Sequence, residues 1–145
     1  MKTMGICVFA LLLCYLESAQ AAEETEQSTY RVIVSTGHLY RSGTDADVYL
    51  TIAGDAGQTK EILLDNAENN FEQYAIDVFE VKETDVGKFK NIRIRHTNTG
   101  RGPGWFLVSV RIDNLSKKQC KLFPCGRWLA KDEDDGKIDR TLTPR

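Results

Sequence analysis

"FKNIRIRHTNTGRGPGWFLVSVRI", residues 89–112, reads as a strand, a turn and a second strand. Ile92 and Ile94 alternate with Arg93 and Arg95, and Phe106, Val108, Val110 and Ile112 recur at every second place. A period of two sends alternate side chains to opposite faces, which is the signature of a strand with one buried side. Between the two runs, "NTGRGPG" (98–104) gathers the residue types that reverse a chain.

The pattern extends in both directions. Tyr30, Val32 and Val34 share a face in 30–36, as do Val48, Leu50 and Ile52 in 47–53 and Ile62 and Leu64 in 58–64. "YAIDVFEV" (74–81) is more continuously apolar and reads as a strand covered on both sides. "CKLF" (120–123) and "RWLA" (127–130) add two short strands. Turn chemistry at 53–57 and 83–88 and the lack of a helical period complete the picture. The expected fold is all-β: an eight-stranded antiparallel β-sandwich over residues 30–145.

The first 21 residues have a different composition. "MKTMGICVFALLLCYLESAQA" has an early Lys2, an apolar run from Ile6 to Leu16, and small residues at Ala19 and Ala21. This predicts a secretory signal peptide, followed by a flexible tail at 22–29 and an extracellular destination for the mature chain. With Cys7 and Cys14 removed, Cys120 and Cys125 remain as a possible disulfide. Five residues of extended strand span roughly 16 Å, against the roughly 4.4–6.8 Å that bridged Cα atoms need. Bridging therefore requires Phe123-Pro124 to turn the chain back. A formal net charge of −2 with both signs interspersed predicts no nucleic-acid partner.

If every connection reverses direction, the loops sort to two ends. Residues 36–46, 65–73, 97–104 and 124–126 fall at one end, and 54–57, 82–88, 113–119 and the acidic run "DEDD" (132–135) at the other. That run fails the EF-hand spacing: counted from Asp132, glycine comes fifth and the twelfth residue is Thr143. It reads as a hydrated turn. The first end is chemically richer. Gly43, Asp45 and Asp47 lie in one loop, and Asp65, Asn66, Glu68, Asn69 and Asn70 in another. Carboxylates, amides and free carbonyls are the oxygen mixture that Ca²⁺ takes, and the same residues are also ordinary turn formers.

Leu39 and Tyr40 sit between Gly37 and Gly43, where no core face requires them. An apolar-aromatic tip suits contact with a membrane interface. Trp105 and Trp128 each follow a turn and read as structural anchors. His38 and His96 fall near the same end without any zinc spacing. Neither a nucleophile signature nor a phosphate loop is present, so catalytic residues are not expected and the chain is not expected to be an enzyme.

"GTDADVYLTIAG", "HTNTGRGPGWFLVSVRI" and "FPCGRWLAKDEDDGKIDR", in that order and spacing, resemble the PLAT family (polycystin, lipoxygenase, alpha-toxin), also called the lipoxygenase-homology domain. The resemblance spans about Tyr30 to Pro144. It implies an eight-stranded β-sandwich that is non-enzymatic and contacts lipids, membranes or partner proteins, with Ca²⁺ held in several members by loops at one end. By position it implies a metal set of Gly43, Thr44, Asp45, Asp65, Asn66 and Glu68, and structural roles for Trp105 and Trp128. The family often reads H-D-N-S-G where this chain has His96-Thr97-Asn98-Thr99-Gly100, which implies one weakened cation position.

The leading expectation is a secreted module contacting lipid or membrane surfaces, with Ca²⁺ assisting through loops 36–46 and 65–72. The alternative is a Ca²⁺-independent module docking an extracellular enzyme or matrix protein through a sheet face, such as the Arg93/Arg95 strand.

Overall fold

A computed structural model describes residues 25–145. The expected signal peptide lies outside the described residues. Nine strands follow in order: β1 (Gln27–Thr36), β2 (Val48–Gly54), β3 (Gly57–Gln58), β4 (Ile62–Leu63), β5 (Ile76–Thr84), β6 (Phe89–His96), β7 (Trp105–Asn114), β8 (Gln119–Leu129) and β9 (Asp139–Leu142). They form two antiparallel sheets, one ordered β5-β1-β7-β8, the other β3-β2-β6-β9 with β4 also on β2. No helix occurs among the described residues, and the all-β sandwich is as the alternation predicts.

The inward faces meet in one core. Val32 and Val34 from β1, Leu50 and Ile52 from β2, Ile92 and Ile94 from β6, and Val110 and Ile112 from β7 are all fully buried. Each inward side chain of this size stabilises the fold by about 1.5–3 kcal/mol relative to exposure.

Several details differ from the sequence reading, each for a local reason. The tail expected at 22–29 ends earlier, because Gln27–Thr29 already pair with Lys82–Thr84 of β5 and Ser28 is buried. Segment 58–64 contributes only Gln58 to the two-residue β3 and forms the two-residue β4. β5 is an edge strand with an open face, where Ile76 is 70% and Val78 49% exposed, so it is not covered on both sides. In β7, alternation inverts at Val108. Ser35 pairs Ser109 and Thr36 pairs Leu107, leaving Val108 as an extra residue. Such a bulge shifts side-chain phase. It turns Trp105 and Leu107 inward and leaves Val108 exposed.

The largest correction concerns β8. Residues 120–123 and 127–129 lie along one continuous edge strand, since Pro124-Cys125-Gly126 forms a bulge (Gly126 φ 65°) and not a reversal. Two consequences follow. Cys120 and Cys125 stand five places apart along extended chain and are both free, so the possible disulfide is excluded by distance. One fewer reversal also moves the acidic run to the other end. β8 delivers residues 130–138 beside the 97–104 loop, and β9 returns against β6 with Arg95 opposite Asp139.

Candidate functional site

The end that receives loops 37–47, 64–75, 97–104 and 130–138 is held by a dense set of backbone bonds. Ser42 is buried, donates its Oγ to the Gly37 carbonyl at 2.6 Å and accepts the Phe106 N–H at 2.8 Å through its own carbonyl. The Ser42 N–H also donates to Leu39, closing a tight turn with Arg41 at φ 58°. A pinned turn base leaves the tip to protrude, and Tyr40 is accordingly 79% exposed and Leu39 42%. The Arg41 guanidinium lies over the Tyr40 ring, 5.2 Å from its centroid.

Gly43 and Thr44 position the site. A Cβ on Gly43 would lie 2.7 Å from the Phe71 carbonyl oxygen and 2.9 Å from the Gln73 nitrogen, so the two loops pack backbone to backbone. The Thr44 N–H donates to Phe71 at 2.9 Å, and its buried hydroxyl donates to the Pro103 carbonyl at 2.7 Å. Neither residue presents a free ligand atom of its side chain. Asp45 exchanges two bonds with Gly102, giving its N–H to the carbonyl at 3.2 Å and accepting the Gly102 N–H on Oδ2 at 3.1 Å. Gly100, at φ 85°, packs on Asp45, where any Cβ would sit 2.7 Å from the Asp45 Cβ.

Asp45, Asp47, Asp65, Glu68, Asn69 and Asn70 line one hollow of about 210 Å³. Among the described residues no three His, Cys, Asp or Glu side chains are close enough to hold a metal as they stand. The donor chemistry nevertheless fits a hard cation, because the Asn70 side-chain carbonyl oxygen is buried with no hydrogen-bond partner. An orphaned buried acceptor beside carboxylates is a position that a cation or its water would satisfy. Asn66, expected among the ligands, is instead tied into the loop: Oδ1 accepts from Glu68 N–H at 2.9 Å and Nδ2 donates to Val78 at 3.3 Å.

At the same end stands a residue that the strand pattern concealed. Tyr74, read as the start of a strand, belongs to the loop; it is 77% exposed and has φ 68°. Its N–H donates to Gly37 at 2.8 Å, and its ring meets His38 edge-on at 6.1 Å. A bulky residue with positive φ stores backbone strain, which functional loops tend to retain. The only sequence signal was a dense polar run before it, "DNAENNFEQ".

The two tryptophans separate. Trp105 is fully buried, stacks edge-on with Phe71 at 5.3 Å and donates its indole N–H to Thr36 at 3.0 Å. Trp128 is half-buried on the outer face, edge-on to Phe106 at 5.5 Å, so it is a surface aromatic and not a core anchor. The acidic run also divides. Asp134 is bound by Arg127, and Arg140 pulls the Asp135 carboxyl down to about 2. Asp132 and Glu133 have no ion-pair partner among the described residues.

The Arg93/Arg95 strand is not a free basic handle. Arg93 forks onto Asp139 at 2.9 Å, while Arg95 binds Glu61 at 2.7 Å and covers Tyr49 at 4.5 Å. His96 is likewise structural: Nε2 donates to Leu129 at 2.7 Å and Nδ1 accepts the Asn98 N–H at 3.0 Å, which requires the neutral ring. Burial pushes its pKa below the usual histidine value. The unfolded chain therefore takes up this proton first, and stability is full above about pH 6.5 and falls as pH drops below it. Thermal melts from about pH 7.5 to about pH 5.5 should show that loss, with a shallower slope in His96→Gln.

Comparisons with known proteins align with this architecture. The family model described as "PLAT/LH2 domain" matches residues 30–143. Human lipoxygenase homology domain-containing protein 1 is 40% identical over 130 residues, covering 88% of this chain and 6% of that protein. Mouse polycystin-1-like protein 3 is 31% identical over 124 residues, covering 84% of this chain and 6% of that protein. The chain thus spans about 6% of the length of these curated relatives. Among solved structures, coral 8R-lipoxygenase, described with calcium activation via a C2-like domain, superposes with a TM-score of 0.72 at 31% identity. That match covers 81% of this chain and 17% of the lipoxygenase. Clostridium perfringens alpha-toxin (TM-score 0.63, 19% identity, 82% of this chain and 31% of the toxin) shares the fold.

Proposed function

The chain belongs to the PLAT/LH2 domain family, and from that premise we propose that it is a secreted, non-enzymatic module that contacts lipid or membrane surfaces with the assistance of Ca²⁺. The observation that carries the reading is the hollow shared by Asp45, Asp65 and Glu68, with the unpartnered Asn70 carbonyl beside them. Those carboxylates and that carbonyl would hold the ion, while Gly43, Thr44 and Asn66 fix the loops that carry them. Bound Ca²⁺ supplies positive charge where uncompensated acids otherwise repel an anionic surface. Leu39, Tyr40 and Tyr74 project from the same end and offer apolar and aromatic contact at the depth of lipid headgroups. Calcium activation reported for the coral lipoxygenase lends support by kinship.

Calorimetric titration of the mature chain tests the cation, and vesicle sedimentation tests the surface. Asp45→Asn combined with Glu68→Gln should weaken Ca²⁺ binding by at least about tenfold, since affinity follows ligand charge. Asn at 45 keeps an oxygen for the Gly102 N–H. Leu39→Ala with Tyr40→Ala should leave the titration intact and abolish pelleting. Absent binding heat together with chelator-insensitive pelleting sinks the Ca²⁺ reading.

One observation favours a protein-docking role: the open face of the β5 sheet carries Ile76, Val78, Val108 and Leu122, all exposed. Capture of a protein partner that survives chelation and is lost on Ile76→Asp would favour that reading.

A further inference from the structure

The edge strands β8 and β9 meet along one flank of the sandwich, and the groove between them holds the half-buried Cys125. We propose that Cys125 is a site of reversible mixed-disulfide formation with a small anionic disulfide of the oxidised-glutathione type, recognised by Lys137 and Arg140. The proposal stands apart from the Ca²⁺ reading.

Two observations point to a ligand in this groove. The Arg140 side chain is only 8% exposed, and its terminal nitrogens are spent on the Asp135 carboxylate and the Trp128 carbonyl. Its Nε is buried with no hydrogen-bond partner. A buried donor left so is costly, and a thiolate or the oxygens of an attached group would supply the acceptor it lacks. Lys137 lines the same groove, is exposed, and makes no ion pair among the described residues. Of the lining residues only Asp139 is acidic, and Arg93 holds it. Arg127 is tied to Asp134, so the uncommitted charge is that of Lys137.

The thiol has no partner within the folded domain, because Cys120 lies out of bridging range along extended β8. An oxidised Cys125 therefore takes its partner from outside. The groove holds about 280 Å³, far more than a peroxide needs when one water takes about 30 Å³. Carboxylates on a larger disulfide use that surplus against Lys137. Gly126, next in the chain, leaves the approach open, since a Cβ there would meet nothing within 4 Å. The exchange balances. The Cys125 sulfur loses its proton to solvent and attacks one sulfur of the disulfide. A new S–S bond forms as the old one breaks, and the other half leaves as a thiolate that takes up a proton. Cys125 is oxidised and the departing half is reduced. Burial pushes the Cys125 thiol up, against the pull of the Arg127 N–H and of the Arg140 and Arg127 guanidiniums. Exchange is therefore slow, and recognition by the groove selects the cysteine. Cys120 is the contrast: it is more exposed, but its thiol faces the Asp113 carboxylate, which repels an anion.

Peptide mapping by mass spectrometry reads the site directly after incubation with oxidised glutathione, cationic cystamine or neutral hydroxyethyl disulfide. Oxidised glutathione should label Cys125 at least about tenfold faster than Cys120, the scale of charge-steered association. Cystamine should reverse that order. Lys137→Glu, at an exposed position, should slow glutathione labelling of Cys125 by about tenfold and leave hydroxyethyl disulfide labelling unchanged. Arg140→Gln should slow all three reagents at Cys125, with a melting curve to show that the domain still folds. Excess reduced glutathione should strip the adduct, and chelator should change none of these rates. Labelling of Cys120 first by glutathione, or labelling of Cys125 indifferent to Lys137→Glu, overturns the anionic recognition. An adduct that reduced glutathione does not remove overturns its reversibility.

Discussion

Replacing Trp105 by alanine is expected to lower the unfolding free energy by about 3–5 kcal/mol, the range for removing a buried aromatic. At this size that corresponds to a fall in Tm of more than about 10 °C. The indole is fully buried, packs edge-on against Phe71 and satisfies the Thr36 hydroxyl. Phe71 in turn accepts the Thr44 N–H and stacks on Phe79 at 5.6 Å, so the cavity opens beneath the acidic hollow. Chemical denaturation should show the loss, and Trp105→Phe should recover most of it while leaving Thr36 without its donor. A Trp105→Ala protein that melts within a degree or two of the wild type would mean that the sandwich does not depend on this ring.

Gly43→Ala should cost about 1–3 kcal/mol, the usual penalty for forcing a methyl into a packed contact. The new Cβ would meet one backbone atom from each of three successive residues, Phe71, Glu72 and Gln73, at 2.7–3.1 Å. Backbone cannot swing aside as a side-chain tip can, so the segment carrying Phe71 must move as a unit. That movement breaks the Thr44–Phe71 bond and separates Asp45 from the Asp65–Asn70 loop. Ca²⁺ affinity should therefore fall along with stability. Gly102→Ala is the control, since its Cβ would meet only Asp45 Oδ2, at an ordinary 3.5 Å. Equal melting temperatures for the two variants would refute the close-packing argument.

The repeating residues made most of the fold legible. Val32, Val34, Leu50, Ile52, Ile92 and Ile94 have one buried destination, because a period of two leaves an apolar set no other way to leave water. The Gly43-Thr44-Asp45 loop and the protruding Leu39 and Tyr40 were also readable, as turn chemistry surrounds side chains that no core face needs. What escaped was information carried by neighbouring strands. Two strands reading as separate were one, since whether Pro124-Cys125-Gly126 reverses or bulges is settled by the β7 residues opposite it. β9 offers a single inward apolar residue, Leu142, too little for periodicity to register.

Local chemistry by itself determined that this chain alternates, turns and closes into two sheets, and that its carboxylates cluster in loops. Tertiary structure alone decided which loops share an end. Bulges in β7 and β8 changed the parity of side chains and connections, placing Trp128 outside and Asp132 and Glu133 beside Tyr40. One residue inserted in a ladder inverts every face beyond it, and that insertion is fixed by pairing energy across strands, not by the residue's own preference.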